Sequence, residues 1–593
     1  MIVPMKKLDI LVLDKYKEDC LFDLRKLGVL HVKYIRRPAS QDIDSLIKNI
    51  EDTEKALKII AEYQASSREQ KYIDKESIFN YVNQILSLQT ERETYLERGL
   101  KIKDEIGWYK EWGEFSLNTF KELAKEGVYI RLYKCSRRQL QELRKTKVIE
   151  IIKRQDQYYY IAVVSLSDKD DTNLTEVMPA HKELSILKKE LKEINEQILN
   201  IDNLLKEKAT YKKDLSFHLS FLKKSLDFNR VKFSMQEEGV LVYLEGFIPE
   251  GEIKKVSDLA NKKGWAYIIQ DPDNPEEVPT LIRNPGWLRI IEPVFRFMGT
   301  LPGYEEYDIS FSFLLFFSIF FALLIGDAGY GLIFLMITYL SRKRLSNISP
   351  EPFKLMYVLS FATIIWGAIS GTWFGFDRIA QLPFFKAIVI DRVNSFVEGN
   401  QPFMMYLCFL IAAVHLTIAH SINALKLLNS FRSLAQLGWI LIIWSLLPVA
   451  GKLVLGRELA GYAGPVFSLG VALVLLFSYP QKKILKGIGI ALVDLPLRVV
   501  SSFSDIVSYL RLFAVGYATV VMASSFNNIA LNFGFSSIWR TFISSLILFL
   551  GHGLNIILGL MAVIIHGIRL NMLEFSSHLG MQWSGIEYKP FKE

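Results

Sequence analysis

The stretch Ser504–Ala518, SDIVSYLRLFAVGYA, places Arg511 inside an otherwise apolar helix of membrane-spanning length. Uncharged residues continue after the arginine to the end of that helix, so the charge lies far from either membrane surface. A charge at mid-span costs roughly 2.5–3.5 kcal/mol on insertion scales. Arginine cannot avoid this cost by losing its proton, because its pKa stays above about 12. An anionic group must therefore meet Arg511 within the membrane.

The chain around this stretch divides into a charged half and an apolar half. Of its 593 residues, 50% are hydrophobic, and the net charge is +8. Residues 1–305 are charged and heptad-like, and 306–593 contain apolar runs long enough to cross a bilayer. We therefore predict a cytoplasmic arm followed by a transmembrane, ion-translocating domain. The positive balance is typical of basic cytoplasmic loops, so we expect no nucleic-acid binding. The three cysteines are far apart in sequence and predict neither a disulfide framework nor a metal site.

The first half predicts two α/β lobes joined by a helical hairpin. Strand and helix patterns alternate within 1–40, 122–163 and 238–270. Leu and Ile recur every three or four residues through 180–226, which predicts a coiled coil, and a second helical stretch covers 40–66 and 84–106. The chain would leave a proximal lobe, run out to a distal lobe and return. Without a G-x-x-x-x-G-K-[ST] motif we expect no nucleotide site and no cofactor, and a scaffold without chemistry is the simplest interpretation of this half.

The second half predicts an all-α membrane domain of eight spans, the last two long and tilted. The spans cover about 309–325, 328–341, 354–375, 403–425, 434–454, 462–479, 499–526 and 538–570. Gly326–Gly331, GDAGYG, separates the first two spans, and its Asp327 either caps the second helix or lines a water-filled path.

Basic loops predict the orientation of these spans. One set of alternate loops carries Arg342, Lys343, Arg344, Lys426, Arg432, Lys482, Lys483 and Lys486, whereas the opposite loops mix both signs of charge. The positive-inside rule then places both termini in the cytoplasm. We expect a multi-pass protein of a prokaryotic plasma membrane.

Helical geometry predicts which residues accompany each arginine. At 100° per residue, the face of Arg511 holds Ser504, Ser508, Ala514, Val515, Ala518, Met522 and Ser525. The same geometry predicts that Arg569 shares its face with Gly551, Asn555, Ala562, His566, Ser576 and Gly580. Spans three to six hold no carboxylate, and Asp505 lies about 120° from Arg511 on its own helix. We therefore expect the anionic partner of Arg511 in another chain.

The sequence allows two interpretations for several side chains. Arg569 either shares the task of Arg511 or extends from a helix end to the membrane surface. The span histidines, His415, His420, His552 and His566, either pack as neutral groups or relay protons. Glu574 and His578 lie beyond Arg569, where the membrane interface is the simplest location.

These motifs resemble one family. Ser508–Leu512 (SYLRL) with Ala514, His566–Leu570 (HGIRL) with Glu574-Phe575, the first hairpin GDAGYG, Gly246–Pro249 (GFIP) and Glu292-Pro293 are similar to motifs of the large membrane stator subunit of V-type and archaeal A-type rotary ATPases. That subunit is called a in eukaryotes and I in many prokaryotes. The resemblance covers nearly the whole chain.

The resemblance implies a non-catalytic subunit that couples H⁺ or Na⁺ translocation to ATP hydrolysis or synthesis. Arg511 and Arg569 would face the carboxylates of a rotor ring, and Asp327 and His566 match half-channel positions on the non-cytoplasmic side. The further half-channel candidates are Ser504, Ser508, Asn555 and Glu574. The implied partners are the rotor ring, the peripheral stalks and a central-stalk adaptor, within the lipid bilayer.

Two positions depart from the eukaryotic members of that family. Thr519 stands where they carry a histidine, and Gly559 where they carry a glutamate.

The alternative to a stator subunit is a self-contained secondary transporter, or a membrane scaffold with a coiled-coil arm. A transporter usually shows internal repeats, whereas this sequence has one glycine-rich break and no obvious repeat.

Overall fold

The computed structural model describes all residues except 64–76, 156, 168–171, 173, 178–181, 346–347 and 481–483. The predicted helix end at 64–66, the start of the coiled coil at 180–181, and Lys482-Lys483 lie outside the described residues. The described chain forms two compact units. Unit 1 comprises Met1–Ile10, Leu27–His31 and Gly246–Pro590, and unit 2 comprises Leu11–Lys26, Val32–Glu245 and Phe591–Glu593.

The first part of the chain is mixed α/β, as predicted. In chain order its elements are β1 (Met5–Leu13), α1 (Lys17–Leu27), β2 (His31–Lys33), α2 (Gln41–Ala61), α3 (Ile78–Trp112), α4 (Leu117–Lys125), β3 (Tyr129–Ser136), α5 (Arg137–Leu143), β4 (Val148–Gln155), β5 (Tyr158–Ser165), α6 (Leu184–Lys208), α7 (Lys212–Ser234), β6 (Gln236–Glu238), β7 (Leu241–Pro249), α8 (Ile253–Lys263), β8 (Ala266–Gln270) and β9 (Pro279–Thr280).

The second part is almost entirely helical. Its elements are α9 (Glu292–Met298), α10 (Ser310–Ile325), α11 (Ala328–Arg344), α12 (Glu351–Ser370), α13 (Asp377–Ala380), α14 (Pro383–Lys386), α15 (Gln401–Lys426), α16 (Arg432–Leu455), α17 (Ala463–Phe477), α18 (Ile484–Ser508), α19 (Leu510–Phe533), α20 (Ile538–Ala562), α21 (Ser576–Leu579) and β10 (Ile586–Glu587). Between α20 and α21 the helix continues through two π-helical segments, Val563–Gly567 and Leu570–Phe575.

Unit 2 is built on two helix pairs. The apolar stripe of α2, with Ile43 and Ile50, packs on Leu222 and Leu226 of α7. In the same way α3 packs on α6, where the Leu and Ile repeat forms the buried seam. The strands β3, β5 and β4 form an antiparallel sheet in that order, inserted in the chain between α3 and α6. The outgoing helices therefore pair with the returning ones, because the apolar faces recur at helical spacing.

Unit 1 contains the apolar helices, and most of their bounds lie close to the predicted spans. The prediction for span seven is wrong at its start, because α18 begins at Ile484 and not near residue 499, and the helix is interrupted at Tyr509. α16 packs against α15 and α17, α11 against α12, and α10 against α12 and α19. Gly438 and Gly470 allow α16 and α17 to approach closely, since a Cβ at either glycine would meet the other's main-chain oxygen at 2.8 Å. Two short strands of this unit, β9 and β10, pair in parallel.

Length and composition identify about five helices that can each cross a membrane. Among the described residues these are Glu351–Ser370, Gln401–Lys426, Arg432–Leu455, Leu485–Phe533 and Ile538–Leu579. The pair α10 and α11 meets the same criterion only jointly and is bent by 119° at the break between them. The apolar helix α17 is shorter, with 15 residues.

Candidate functional site

Arg511 lies one residue into α19, just after the break at Tyr509 that separates α18 from α19. Tyr509 is fully buried, and its hydroxyl lies 2.8 Å from His415 Nδ1. None of the residues predicted to share the face of Arg511 is buried, whereas Leu512, Gly516 and Thr519 on the opposite side are. The side chains predicted to share the face of Arg511 therefore lie on an outward side of α18 and α19.

A carboxylate of the same chain meets Arg511. Its Nη2 donates to Glu574 Oε1 at 2.9 Å, and its Nε donates to the Ser508 main-chain oxygen at 2.9 Å. The Ser508 hydroxyl lies 3.2 Å from the same carboxylate oxygen. The expectation that the anionic partner lies in another chain is therefore wrong for this contact, since Glu574 belongs to the same chain and is only 5% exposed.

Arg569 reaches the same carboxylate. Its Nε lies 3.6 Å from Glu574 Oε1, and the side chain is 53% exposed. The two residues are five positions apart, which on an α-helix would place them 140° apart. The π-helical segment Leu570–Phe575 has a wider turn with i→i+5 bonding, so residues five apart lie on one side.

The two π segments also overturn the predicted face of Arg569. Gly551, Asn555 and Ser576 are buried, while Arg569 is half-exposed, because each π segment shifts the phase of the helix. His566 is half-buried, and its Nδ1 has no hydrogen-bond partner among the described residues. Ser504 is exposed two turns before Arg511.

Asn555 belongs to a second, separate polar network. Its Nδ2 donates to the Tyr330 hydroxyl at 2.9 Å and to the Thr519 main-chain oxygen at 2.8 Å. The Tyr330 hydroxyl lies 2.8 Å from His552 Nδ1, and His552 Nε2 lies 3.0 Å from Asn527 Oδ1. Sequence analysis missed Tyr330 and Asn527, because an uncharged polar residue in an apolar helix gives no distinct signal.

Asp327 anchors the turn between α10 and α11. Its Oδ1 accepts hydrogen bonds from the main-chain N–H groups of Gly329, Tyr330 and Phe374, and its Oδ2 accepts one from Gly375. Phe374 adopts the left-handed conformation, with φ of 51°, which directs its amide to the carboxylate. The capping interpretation of Asp327 is confirmed, and these four donors occupy both carboxylate oxygens.

His415 packs between aromatic side chains of the core. Its ring is stacked between Phe316 and Phe575, at centroid distances of 3.8 and 4.3 Å.

Among the described residues, no group of three or more His, Cys, Asp or Glu side chains could hold a metal ion.

The sequence matches curated relatives along its full length. It is 33% identical to the V-type ATP synthase subunit I of Borreliella burgdorferi over 629 aligned positions, which cover 100% of both chains. The chain belongs to the V-type ATP synthase subunit I family. The corresponding subunit of Treponema pallidum is 28% identical over 100% of both chains, and the A-type subunit I of Methanocaldococcus jannaschii is 27% identical over 59% of this chain and 55% of its own. No family model matches the sequence.

This subunit I is a membrane protein and the non-catalytic stator subunit of a V/A-type rotary ATPase, as the motifs predicted. The two positions that depart from eukaryotic members both pack against α10. Thr519 Oγ1 lies 3.2 Å from the Ile325 main-chain oxygen. A Cβ at Gly559 would come within 2.9 Å of the Ile325 side chain. A larger residue at Gly559 would therefore require Ile325 to move.

Proposed function

We propose that this subunit forms two ion half-channels and presents Arg511 and Arg569 to the carboxylates of a rotor ring. A charge imbalance at an outward surface supports this proposal. Two guanidinium groups share the single carboxylate of Glu574, which leaves one positive charge in surplus. Arg511 is 26% and Arg569 53% exposed, on helices that are otherwise apolar. Exposing a charge to lipid is costly, so a second carboxylate from outside the chain is the expected neighbour.

The helix that carries Arg569 has the smallest buried share of the five candidate spans and so leaves the largest surface for such a neighbour. Only 22% of the most apolar stretch of Ile538–Leu579 is buried, compared with 56% of that of Arg432–Leu455. A passing ring carboxylate would pair with the surplus cation. That cation lowers the pKa of the acid and so promotes ion release on one side. The fixed charge also blocks direct leakage between the half-channels.

Two groups of polar side chains would line the two half-channels. Ser504, Ser508 and Glu574 lie toward the basic-loop side of the membrane and would line the cytoplasmic half-channel. Asn555, His566 and the turn at Asp327 would belong to the opposite half-channel. Among these, Asp327 would act by holding the turn, since both of its oxygens accept main-chain hydrogen bonds.

The remaining architecture follows from the orientation of the basic loops. Eight spans, with α10 and α11 as separate crossings, would place both termini in the cytoplasm of a prokaryotic cell. Residues 1–305 would form a coiled-coil arm that binds the peripheral stalks and the central-stalk adaptor, and residues 306–593 would form the translocating domain. The arm would resist the torque that the ring exerts on the arginines.

The test is ATP-driven ion uptake by the complete complex in proteoliposomes. Arg511→Ala should abolish uptake in assembled complexes, because the ring carboxylate would lose its fixed counter-charge. Arg540→Ala is a matched control, since Arg540 is an exposed arginine near the start of α20 whose guanidinium, within the described part of the chain, donates to the nearby Ser536 hydroxyl at 3.1 Å. If Arg511→Ala complexes take up ions like the Arg540→Ala complexes, the proposal is wrong.

A further inference from the structure

A chain of three titratable side chains crosses the helices near the basic-loop side of unit 1. His420 Nε2, from α15, lies 3.0 Å from His578 Nδ1 of α21. His578 Nε2 lies 3.1 Å from Asp505 Oδ2 of α18. At the other end, His420 Nδ1 lies 2.7 Å from Gln436 Oε1 of α16. Four helices thus contribute one continuous hydrogen-bonded series.

The series borders an open space along its length and ends near the arginine cluster. A cavity of about 330 Å³ is lined by His420, Gln436, His578 and Asp505 together with polar groups such as Arg498. At the inner end, Ser508 lies one helical turn beyond Asp505, and its hydroxyl is 3.2 Å from Glu574 Oε1. The series therefore lies along this cavity and ends one helical turn from the serine that contacts the Glu574 carboxylate.

The hydrogen bonds of this series have two complete arrangements. In the first, the Gln436 amide N–H donates to His420 Nδ1, His420 Nε2–H donates to His578 Nδ1, and His578 Nε2–H donates to the Asp505 carboxylate. In the second, His420 Nδ1–H donates to the Gln436 oxygen and His578 Nδ1–H donates to His420 Nε2. A protonated Asp505 then donates to His578 Nε2. The two arrangements differ by one proton and by a turn of the Gln436 amide.

The step between the arrangements balances as a proton transfer. The Gln436 amide turns, a hydronium ion in the cavity protonates His420 Nδ1 and leaves as water, and His420 Nε2 passes its proton to His578 Nδ1. His578 Nε2 then passes its proton to Asp505 Oδ2. One proton enters at His420 and one arrives at Asp505, and both imidazoles end neutral. No metal or co-reactant is needed.

We propose that His420, His578 and Asp505 form a proton relay into the cytoplasmic half-channel, and that the ion carried on this side is therefore H⁺. This rests on the stator function proposed above. An imidazole accepts a proton on one nitrogen and releases it from the other, which suits proton transfer. A Na⁺ ion instead needs oxygen atoms that replace its hydration shell, and the middle of this series offers ring nitrogens.

The helices that pack around the relay carry further charged side chains. Arg498 and Asp494 of α18 form an ion pair at 3.5 Å, and Arg498 lines the cavity. Arg432 of α16 lines an adjoining cavity with Gln436. Glu574 lies on the inner side, held by Arg511. Asp505 is therefore the carboxylate that completes the series, since the others have cationic partners.

Proton uptake by the complete complex in proteoliposomes tests the relay. His578→Gln and His420→Gln should each lower ATP-driven H⁺ uptake by at least about tenfold, because an amide cannot pass a proton in this way. His218→Gln is the matched control, since His218 lies on α7 in unit 2. Uptake of Na⁺ in place of H⁺, or unchanged H⁺ uptake in both relay variants, would overturn the relay. In that case, loss of uptake in Arg511→Ala complexes would still support the stator function.

Chemical rescue separates proton transfer from a structural role. His578→Ala opens space beside the cavity, and added imidazole should restore most of the lost H⁺ uptake. Imidazole should leave Arg511→Ala complexes inactive, because they lack a charge and not a proton carrier. A His578→Ala complex that stays inactive with imidazole would overturn the relay and assign His578 a packing role.

Discussion

The ion pair between Arg511 and Glu574 gives the sharpest stability prediction. Glu574 is 5% and Arg511 26% exposed, so solvent screens the pair only in part. Removing one partner of a fully buried pair costs about 3–5 kcal/mol. In Glu574→Gln, an amide oxygen still accepts a hydrogen bond from Arg511 but the charge is lost. Because a hydrogen bond to a charged group contributes about 1.5–3 kcal/mol, we expect a cost of about 2 kcal/mol.

A thermal melt of the purified subunit in detergent measures this cost. For a chain of 593 residues, 1 kcal/mol corresponds to about 0.8 °C, so Glu574→Gln should lower the midpoint by about 1.6 °C. The double variant Glu574→Gln/Arg511→Gln should lose clearly less than the sum of the single variants, because the two side chains interact. Glu587→Gln removes an exposed carboxylate paired with Lys589 and should shift the midpoint by less than about 1 °C. Additive losses, or an unchanged midpoint in Glu574→Gln, would refute the pairing.

Three further predictions concern packing, the first turn and pH. Gly516→Ala should lower stability by about 1–3 kcal/mol, since its Cβ would overlap a main-chain oxygen of α10, whereas Gly553→Ala has open space and should not; melts compare the two. Asp327→Asn should cost about 1–3 kcal/mol in the same melts, because one acceptor becomes a donor facing a main-chain N–H. Burial lowers the pKa of His31, whose neutral ring accepts a hydrogen bond from the Lys589 amide at 2.9 Å. This neutral ring therefore stabilises the fold fully above about pH 6.5, and its contribution is lost as the pH falls. Hydrogen exchange at the Lys589 amide, corrected for its intrinsic pH dependence, should therefore rise on acidification; a flat profile contradicts this.

Sequence periodicity predicted the elements well where one regular pattern holds. The apolar helix Ser310–Ile325 begins one residue from its predicted start, and the seam of α6 follows the Leu and Ile repeat. These features depend on local spacing and burial, which a sequence displays directly. The outward face of Arg511 was predictable for the same reason, since α19 is regular after Tyr509.

The site itself was less predictable, because it depends on departures from regular helix. The phase of the last span was calculated at 100° per residue, and the π segment Leu570–Phe575 brings Glu574 to Arg569 and Arg511 instead. Likewise, the hydrogen bonds between His420 and His578 join residues 158 positions apart. Neither a single π segment nor a long-range polar pairing has a periodic signature in one sequence.

The central claim is that the face of Arg511 meets the rotor ring, and cross-linking in the complete complex tests it most directly. Ala518 lies exposed on that face, two turns beyond Arg511, and the three native cysteines are buried. Ala518→Cys should form a disulfide with a cysteine placed beside the ring carboxylate, and the cross-link should stop ATP-driven ion uptake until it is reduced. Leu453→Cys, exposed on α16, should form none. A cross-link at Leu453 with none at Ala518 would contradict the claim.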